Sequence, residues 1–202
     1  MSEQDRPVVV LLAGGLARRM GGGDKPLRSL HGRTLLDHVI AAIRPQARAL
    51  VLNANGDPAR FAAWGLPVAA DTLPENPGPL AGILAAMRWT QAHHPDAADL
   101  LSVPTDTPFL PSDLAARLAA GRGDLPLACA VSGGRTHPVV GLWRVSLADD
   151  LETWLRAGGR RIDRWTALHG VAEVTFGGAV DPFFNVNTAE ELEVAERIFG
   201  WR

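Results

Sequence analysis

Short apolar runs alternate with longer amphipathic segments through the first 120 residues, and this alternation restricts the fold more than any other feature of the sequence. The first run, from Val8 to Ala13, is continuously aliphatic, as expected for a central strand covered by helices on both faces. A β-α-β-α order connects its strands through right-handed crossovers and produces a mostly parallel sheet. The strands predicted here are 8–13, 49–52, 67–70 and 100–103, and the helices are 34–43, 58–64, 80–92 and 112–120.

The pattern changes after Leu125, where two apolar runs at 127–132 and 136–143 flank a Gly133-Gly134-Arg135 turn and predict an antiparallel hairpin. Helices at 148–156 and 161–168, a strand at 172–176 and a helix at 189–199 complete the prediction. Thr188 and Glu191 form a capping box before the last helix. We predict an α/β fold in a single Rossmann-like domain over residues 1–202. It has a mostly parallel central sheet, an antiparallel C-terminal portion and helices on both faces.

Composition excludes several classes of function. Lys+Arg total 20 against 22 for Asp+Glu, and the pI is near 6.3, so no broad positive field favours a nucleic acid. The lone Cys129 lies among apolar neighbours and is expected to be a buried thiol in a reducing compartment. The first residues lack a basic region, and the apolar run ending at Ala13 is too short to span a membrane. A cytoplasmic location without membrane contact is expected.

A glycine-rich segment follows the first strand. Five glycines between Gly14 and Lys25 would let backbone N–H groups approach a polyphosphate, with Arg19 and Lys25 adding charge. Arg18 is interpreted as solvated. The P-loop pattern fails because Pro26, not a hydroxyl residue, follows the lysine, and no G-x-G-x-x-G is present. The alternative is a flexible, solvated loop.

The ordered motif in this segment is more specific than these templates. Leu12-Ala13-Gly14-Gly15, Arg19-Met20-Gly21-Gly22 and Asp24-Lys25 resemble the nucleotidyltransferase signature L-[AG]-G-x-x-x-R-M-G-x-x-K, and in particular the molybdenum cofactor guanylyltransferase (MobA) family. The resemblance extends over nearly the whole chain, through Asn53, Asp71, 78–82, 104–108, 135–139, 157–161 and 185–188. It implies transfer of GMP from GTP to the terminal phosphate of molybdenum-molybdopterin, with release of pyrophosphate.

The resemblance implies roles for individual residues in the N-terminal half. GTP would be contacted by the backbone of Leu12, Ala13 and Gly14, and by Lys25, Asn53, Asp71 and Asp106. Arg19, Lys25 and Asp106 would be catalytic, and Asp106 would bind Mg²⁺. Asp106 also follows a buried strand between Pro104 and Pro108, where a lone rigid carboxylate suits a magnesium ion that keeps phosphate and water ligands. The alternative interpretation of Asp106 is that it only forms an Asx-turn. For Asp71 the alternative is an ordinary loop aspartate in the turn before Pro74.

The C-terminal half would bind the acceptor through Arg135, His137, Arg160, Arg161, Arg164, Asn185 and Asn187. Arg161 and Arg164 are three residues apart and are expected to share a helix face. Asn185 and Asn187 would face one side of an extended segment, and one of them could complete the metal or phosphate shell. The alternatives are a charged solvent face for the arginines, a hydrogen-bonded turn histidine, and asparagines that only shape the turn before Thr188.

Two other functions remain open from the sequence. One is a cytidylyltransferase or sugar-nucleotide transferase on the same fold, against which Gly14 and Asp24 argue mildly. The other is a non-catalytic nucleotide- or cofactor-binding module. For the guanylyltransferase, the substrates would be GTP and molybdenum-molybdopterin. The family also implies transient contacts with molybdenum cofactor biosynthesis proteins and with molybdoenzymes or their chaperones.

Overall fold

A seven-stranded sheet forms the centre of the protein. The computed structural model describes residues 3–14, 25–73 and 78–200. The strands are β1 Val8–Leu12, β2 Ser29–Leu30, β3 Arg33–Thr34, β4 Ala49–Asn53, β5 Val68–Ala69, β6 Asp99–Pro104, β7 Leu127–Ser132, β8 Arg135–Arg144 and β9 Val171–Thr175. The helices are α1 Leu35–Ile43, α2 Pro79–His93, α3 Leu114–Arg122, α4 Ala148–Arg156, α5 Ile162–His169 and α6 Ala189–Gly200. Pro58–Trp64 is a 3-10 helix, and β2 and β3 form a small separate hairpin that the sequence did not predict.

The order of the large sheet is β5-β4-β1-β6-β8-β7-β9. β1 pairs in parallel with both β4 and β6, and its last residue, Leu12, lies opposite Asn53 and Pro104. Three strands therefore end side by side, where a ligand crevice is expected. β8 is antiparallel to β6 and to β7, while β9 is parallel to β7. The predicted mixed α/β sheet is confirmed, and within the described sheet the antiparallel character comes from β8 alone.

Helices cover both faces of the sheet, as predicted. Val9 and Leu11 of β1 pack in a cluster that contains residues of α1 and α3, including Leu36 and Leu118. Val8 and Val10 point the other way, into a cluster formed with α2, α4 and α5. Successive side chains of a strand alternate between faces, so one aliphatic strand supplies both halves of the core.

The hairpin differs from the sequence prediction in one detail. Its turn has two residues, Gly133 and Gly134, with φ of 53° and 74°. Arg135 is not part of the turn, because it already pairs with Ser132 as the first residue of β8. Two consecutive residues with positive φ are what a tight type I′ hairpin turn requires, and glycine adopts both at little steric cost.

The capping box of the last helix and the burial of the lone cysteine are confirmed. The Thr188 N–H donates to Glu191 Oε2 at 3.0 Å, and the Glu191 N–H donates to Thr188 Oγ1 at 3.1 Å, which forms the capping box of α6. Cys129 is buried, and this burial raises the pKa of its thiol to about 11. Within the described ranges, no helix has the length and apolar character needed to cross a bilayer.

Candidate active site

A cavity of about 340 Å³ lies at the carboxyl ends of β1, β4 and β6. It includes all seven residues that the sequence predicted to contact GTP. Arg19, the remaining residue predicted to be catalytic, lies outside the described residues, as do the neighbouring glycines of its loop. The lining consists of Leu12, Ala13, Gly14, Lys25, Pro26, Asn53, Asp71, Gly78, Pro79, Pro104, Thr105, Asp106, Val139 and Asn185.

Hydrogen bonds between strand ends hold the floor of this cavity. The Ala13 N–H donates to the Asn53 carbonyl at 2.9 Å. The Leu12 carbonyl accepts from the Thr105 N–H at 3.3 Å and from Thr105 Oγ1 at 3.2 Å. These hydrogen bonds continue the pairing of β4, β1 and β6 for one residue beyond the ends of the strands. The backbone that the sequence predicted to meet the nucleotide is therefore held in position by both neighbouring strands.

Asp71 is held by two asparagines on one wall. Asn53 Nδ2 donates to Asp71 Oδ1 at 2.9 Å, and Asn55 Nδ2 donates to Asp71 Oδ2 at 2.8 Å. Asn55 Oδ1 also accepts from the Asp71 N–H at 2.9 Å. Each carboxylate oxygen keeps a lone pair for a ligand donor. Asn55 was not predicted from the sequence, although its position two residues after Asn53 on an extended segment could have indicated it.

Lys25, Asp106 and Asn187 form a charged cluster on another wall. Lys25 Nζ donates to both Asp106 Oδ2 and Asn187 Oδ1. The side chains of Lys25 and Asp106 are only 14% and 15% exposed. The Asp106 carbonyl accepts from the Val186 N–H at 2.9 Å, which ties the loop after β6 to the segment that carries Asn185 and Asn187.

This arrangement places both asparagines. Asn185 lines the cavity, and Asn187 contacts Lys25 at the charged cluster. The sequence had assigned both to acceptor binding and had also allowed that one completes a metal or phosphate shell. The position of Asn187 favours that second assignment, because its side-chain oxygen is directed to the same ammonium group as Asp106 Oδ2.

The oxygen atoms around Asp106 would suit a magnesium ion whose other ligands are phosphate oxygens and water. Asp106 Oδ1 is buried and has no hydrogen-bond partner among the described residues. In the same part of the chain, no group of three or more His, Cys, Asp or Glu side chains could hold a metal on its own. Mg²⁺ is commonly bound by one or two carboxylates together with substrate phosphates and water. Asp106, with the Asn187 amide oxygen beside it, suits that mode of binding.

The pairing of β7 with β8 shifts register around Val139, a residue that lines the cavity. Cys129 pairs with Gly141 on β8, but the next residue, Ala130, pairs with His137, so residues 138–140 leave the regular register. The Val139 carbonyl accepts a hydrogen bond from Ser102 Oγ at 2.6 Å. Bulges of this kind redirect side chains beside functional sites.

A second cavity, of about 360 Å³, lies between α4 and α5 and contains the arginine cluster. It is lined by Trp154, residues 157–161 and Arg164. Arg160 donates to the carbonyls of Leu155 and Gly159 at 3.1 and 2.8 Å, and Arg161 forms an ion pair with Asp163 at 2.5 Å. Arg164 pairs with no side chain of the described residues.

The predicted shared helix face of Arg161 and Arg164 is wrong. Arg161 is the N-cap residue of α5, with an extended backbone, and only Arg164 lies within the helix. Both nevertheless line the same cavity. The hydrogen bond from Arg161 to Asp163 raises the pKa of the guanidinium, which stays charged.

His137 belongs to a hydrogen-bonded chain that the sequence did not reveal. Ser132 Oγ donates to Asp181 Oδ1 at 2.6 Å and lies 2.8 Å from His137 Nε2. Because the hydroxyl proton is used on Asp181, Nε2 must be the donor to Ser132, and a neutral His137 keeps Nδ1 as an acceptor. Its ring centroid lies 4.9 Å from that of Phe183. Arg135, by contrast, is exposed at the end of the hairpin.

We expect His137 to titrate below the ordinary histidine pKa of about 6.5. Burial lowers the pKa of His137 by disfavouring the imidazolium, and Arg135 acts in the same direction, while Asp181 opposes them. An NMR titration of the histidine ring protons, with His137→Gln to assign the signal, measures this value. A midpoint above 6.5 would show that Asp181 dominates over burial.

Comparison with known proteins gives the family. Residues 9–171 match the model of the MobA-like NTP transferase domain. The chain belongs to this family. A Bradyrhizobium protein named molybdenum cofactor guanylyltransferase is 58% identical over 193 residues, which cover 94% of this chain and 91% of that protein. A protein of the same name from Nitrobacter hamburgensis is 54% identical, with 94% and 92% covered. The resemblance found in the sequence is confirmed.

Solved structures confirm the fold. Molybdopterin-guanine dinucleotide biosynthesis protein A from Archaeoglobus fulgidus superposes with a TM-score of 0.77 at 22% identity, covering 96% of this chain and all of that one. A CMP:2-keto-3-deoxy-manno-octonic acid synthetase, solved with CTP, has a TM-score of 0.71 at 12% identity, with 97% and 98% covered. Because the fold is shared by proteins named for different nucleotides, nucleotide choice must come from the residues of the site.

Proposed function

We propose that this protein transfers GMP from GTP to the terminal phosphate of molybdenum-molybdopterin and thereby forms the guanine dinucleotide cofactor. One observation carries the proposal. The seven residues that the family resemblance assigned to GTP line one cavity at the strand ends, where a buried carboxylate oxygen of Asp106 has no partner among the described residues. The name shared by the relatives supplies the choice of GTP and of the acceptor.

In the proposed reaction, an oxygen of the acceptor's terminal phosphate forms a bond to the α-phosphorus of GTP. The bond from the α-phosphorus to the α–β bridging oxygen breaks, and pyrophosphate leaves with that electron pair. The transfer brings two anions together, so positioning and charge neutralisation are the main requirements. No covalent intermediate with the protein is needed.

The residues of the cavity suit these requirements. The backbone of Leu12, Ala13 and Gly14 would meet the nucleotide, and Lys25 would supply a positive charge to the phosphates. Asp71 would accept hydrogen bonds from the guanine edge or from ribose hydroxyls through the lone pairs that Asn53 and Asn55 leave open. Asp106, with Asn187, would hold Mg²⁺, which when bound would neutralise phosphate charge.

The acceptor would use the remaining basic residues. The cavity between α4 and α5 presents the guanidinium of Arg164 together with Arg160 and Arg161, and such groups bind phosphate oxygens. The neutral His137 offers an acceptor at Nδ1 for an N–H group of the pterin. Asn185, on the wall of the nucleotide cavity, would lie between the two substrates.

Pyrophosphate release tests the proposal. The purified protein is incubated with molybdenum-molybdopterin, Mg²⁺ and GTP, CTP or ATP in turn, and pyrophosphate is measured. We expect release with GTP only. Release with CTP would identify a cytidylyltransferase, and binding of GTP without release would identify a non-catalytic module. Thermal shifts report binding separately, since a ligand at 100 times its Kd adds about 2.7 kcal/mol of stability.

Arg164→Ala is expected to weaken acceptor binding by about tenfold, the scale of one charge-assisted hydrogen bond, while the Kd for GTP stays nearly unchanged. Arg164 is chosen over Arg161 because Asp163 already holds Arg161. Arg156→Ala is the matched control: Arg156 lies on α4, is 64% exposed and pairs with Glu152 outside the cavity lining. An equal loss of affinity for both substrates would contradict the division into nucleotide and acceptor halves.

A further inference from the structure

Lys25 is the only lysine in the 202-residue sequence, in which the other 19 of the 20 Lys and Arg residues are arginines. Its ammonium group contacts Asp106 Oδ2 and Asn187 Oδ1. At this one position the chain carries a lysine, whose ammonium group is a compact charge on a flexible stem, and not an arginine with its planar, forked guanidinium. A lysine side chain is well suited to exchange one set of hydrogen-bond acceptors for another.

The two oxygens that accept hydrogen bonds from Lys25 are also the ligand atoms that a divalent metal would need. Lys25 and Asp106 are both mostly buried, so their attraction is only weakly screened by solvent. Asp106 Oδ1, the other oxygen of the carboxylate, is buried without a partner among the described residues. The described residues therefore satisfy this carboxylate only in part: one oxygen accepts from an ammonium group, and the other has no partner among them.

We propose that Lys25 occupies the place of the divalent metal until a nucleoside triphosphate binds, so that metal and nucleotide bind cooperatively. The inference rests on the proposed function, in that Asp106 is taken as the metal ligand. On nucleotide binding, the phosphates become the hydrogen-bond acceptors for Lys25. Asp106 and Asn187 are then free to bind the metal. Lys25 thus has a second role, as a positioning residue that prevents the metal from binding alone.

Electrostatics determines the direction of this exchange. A metal that enters without nucleotide must displace two hydrogen bonds of Lys25 and place a double positive charge beside an ammonium group. With the triphosphate present, the negative charge near Lys25 increases and the ammonium gains new acceptors. The coupling acts equally on both ligands, because linkage requires that the metal raises nucleotide affinity by the same factor. We expect a factor of at least about 10, within the usual range for coupled sites.

Binding of Mn²⁺, followed by the EPR signal of the free ion, tests the coupling without measuring turnover. The wild-type protein is titrated with Mn²⁺ alone and with saturating GTP, in the absence of acceptor. We expect weak binding alone and binding at least about tenfold tighter with GTP. Lys25→Met should raise the Mn²⁺ affinity of the nucleotide-free protein by about tenfold and reduce the effect of GTP.

Two variants control for charge. Lys25→Arg keeps the positive charge and should keep Mn²⁺ binding weak without nucleotide. Arg156→Met removes one positive charge at an exposed position and should leave Mn²⁺ binding as in the wild type. Tight Mn²⁺ binding by the nucleotide-free wild type, or an unchanged affinity in Lys25→Met, would overturn the inference. Circular dichroism of each variant confirms that it is folded.

The unique lysine allows a direct observation of the exchange. Growth on ¹³C-labelled lysine labels Lys25 alone and keeps all three of its N–H donors, so the single side-chain signal reports the surroundings of Lys25. We expect GTP without metal to shift this signal, and Mn²⁺ without nucleotide to broaden it little. If GTP does not bind but CTP or ATP does, the proposed function fails, and the same titrations with that triphosphate still test the exchange. An unshifted signal with any bound triphosphate would overturn it.

Discussion

Replacement of Asp106 by alanine is expected to lower turnover by at least about 100-fold, the usual effect of removing one preorganised electrostatic group. Asp106 is the negative group of the charged cluster, its side chain is 15% exposed, and one of its oxygens is buried without a partner among the described residues. Loss of this carboxylate removes the main proposed metal ligand and the ion-pair partner of Lys25. Pyrophosphate release at saturating GTP and Mg²⁺ measures the effect.

Two comparisons make this result specific. Asp106→Asn keeps the shape of the side chain but removes its charge, so it should also lose most activity if charge is what matters. Asp113→Ala, at the exposed start of α3 away from the cavity lining, should retain wild-type turnover. Full activity of Asp106→Ala at saturating Mg²⁺ would remove Asp106 from the active site.

Replacement of Gly82 by alanine is expected to destabilise the protein by about 1–3 kcal/mol and to weaken GTP binding by about tenfold. A Cβ atom at position 82 would lie 2.7 Å from Asn53 Cγ and 2.8 Å from Leu12 Cδ2, and would contact Asn53 Oδ1. Asn53 would have to leave its hydrogen bonds with Asp71 and with the Ala69 carbonyl. Denaturant unfolding and GTP titration measure the two effects.

The sign of the Gly82 effect is informative, because alanine in a helix interior is ordinarily favoured over glycine by about 1 kcal/mol. For the variant to be less stable, the free-energy cost of steric crowding must therefore exceed this gain in helix propensity. Gly200→Ala is the matched control, since Gly200 is also helical and a Cβ there meets nothing within 4 Å. We expect its stability to be unchanged or slightly higher. A stability gain in Gly82→Ala would show that Asn53 and Leu12 move aside without cost.

Much of the cavity at the strand ends was predictable from the sequence. Leu12, Asn53 and Asp106 lie at or just after the ends of buried strands, and parallel strands bring such positions to one edge of a sheet. The same rule does not reveal partners. Asn187 is 162 residues from Lys25, and no local pattern indicates that its side chain contacts the lysine. The Ser132–Asp181 hydrogen bond likewise depends on how a loop returns to the sheet.

The arginine cluster shows the limit of helical spacing as a guide. The three-residue spacing of Arg161 and Arg164 predicted a shared helix face, but the helix begins one residue after Arg161. Helix ends are set by capping and tertiary packing as well as by local preference, so a residue at a predicted boundary can lie outside the helix. The two arginines line one cavity because the α4–α5 connection folds back on Trp154. A Cβ atom at Gly159 would clash with the ring of Trp154, so only glycine fits at this position.

The sequence by itself determined the α/β architecture, the order of the helices and the large-sheet strands, the family and most of the residues around the cavity at the strand ends. Periodicity, capping and turn residues are local properties that read directly from the chain. Only the tertiary structure decided that Lys25 donates to Asp106 and Asn187, that Asn55 holds Asp71, and that Arg161 is paired with Asp163 whereas Arg164 has no side-chain partner among the described residues. These are choices between competing partners, and they depend on distances between atoms that are far apart in the sequence.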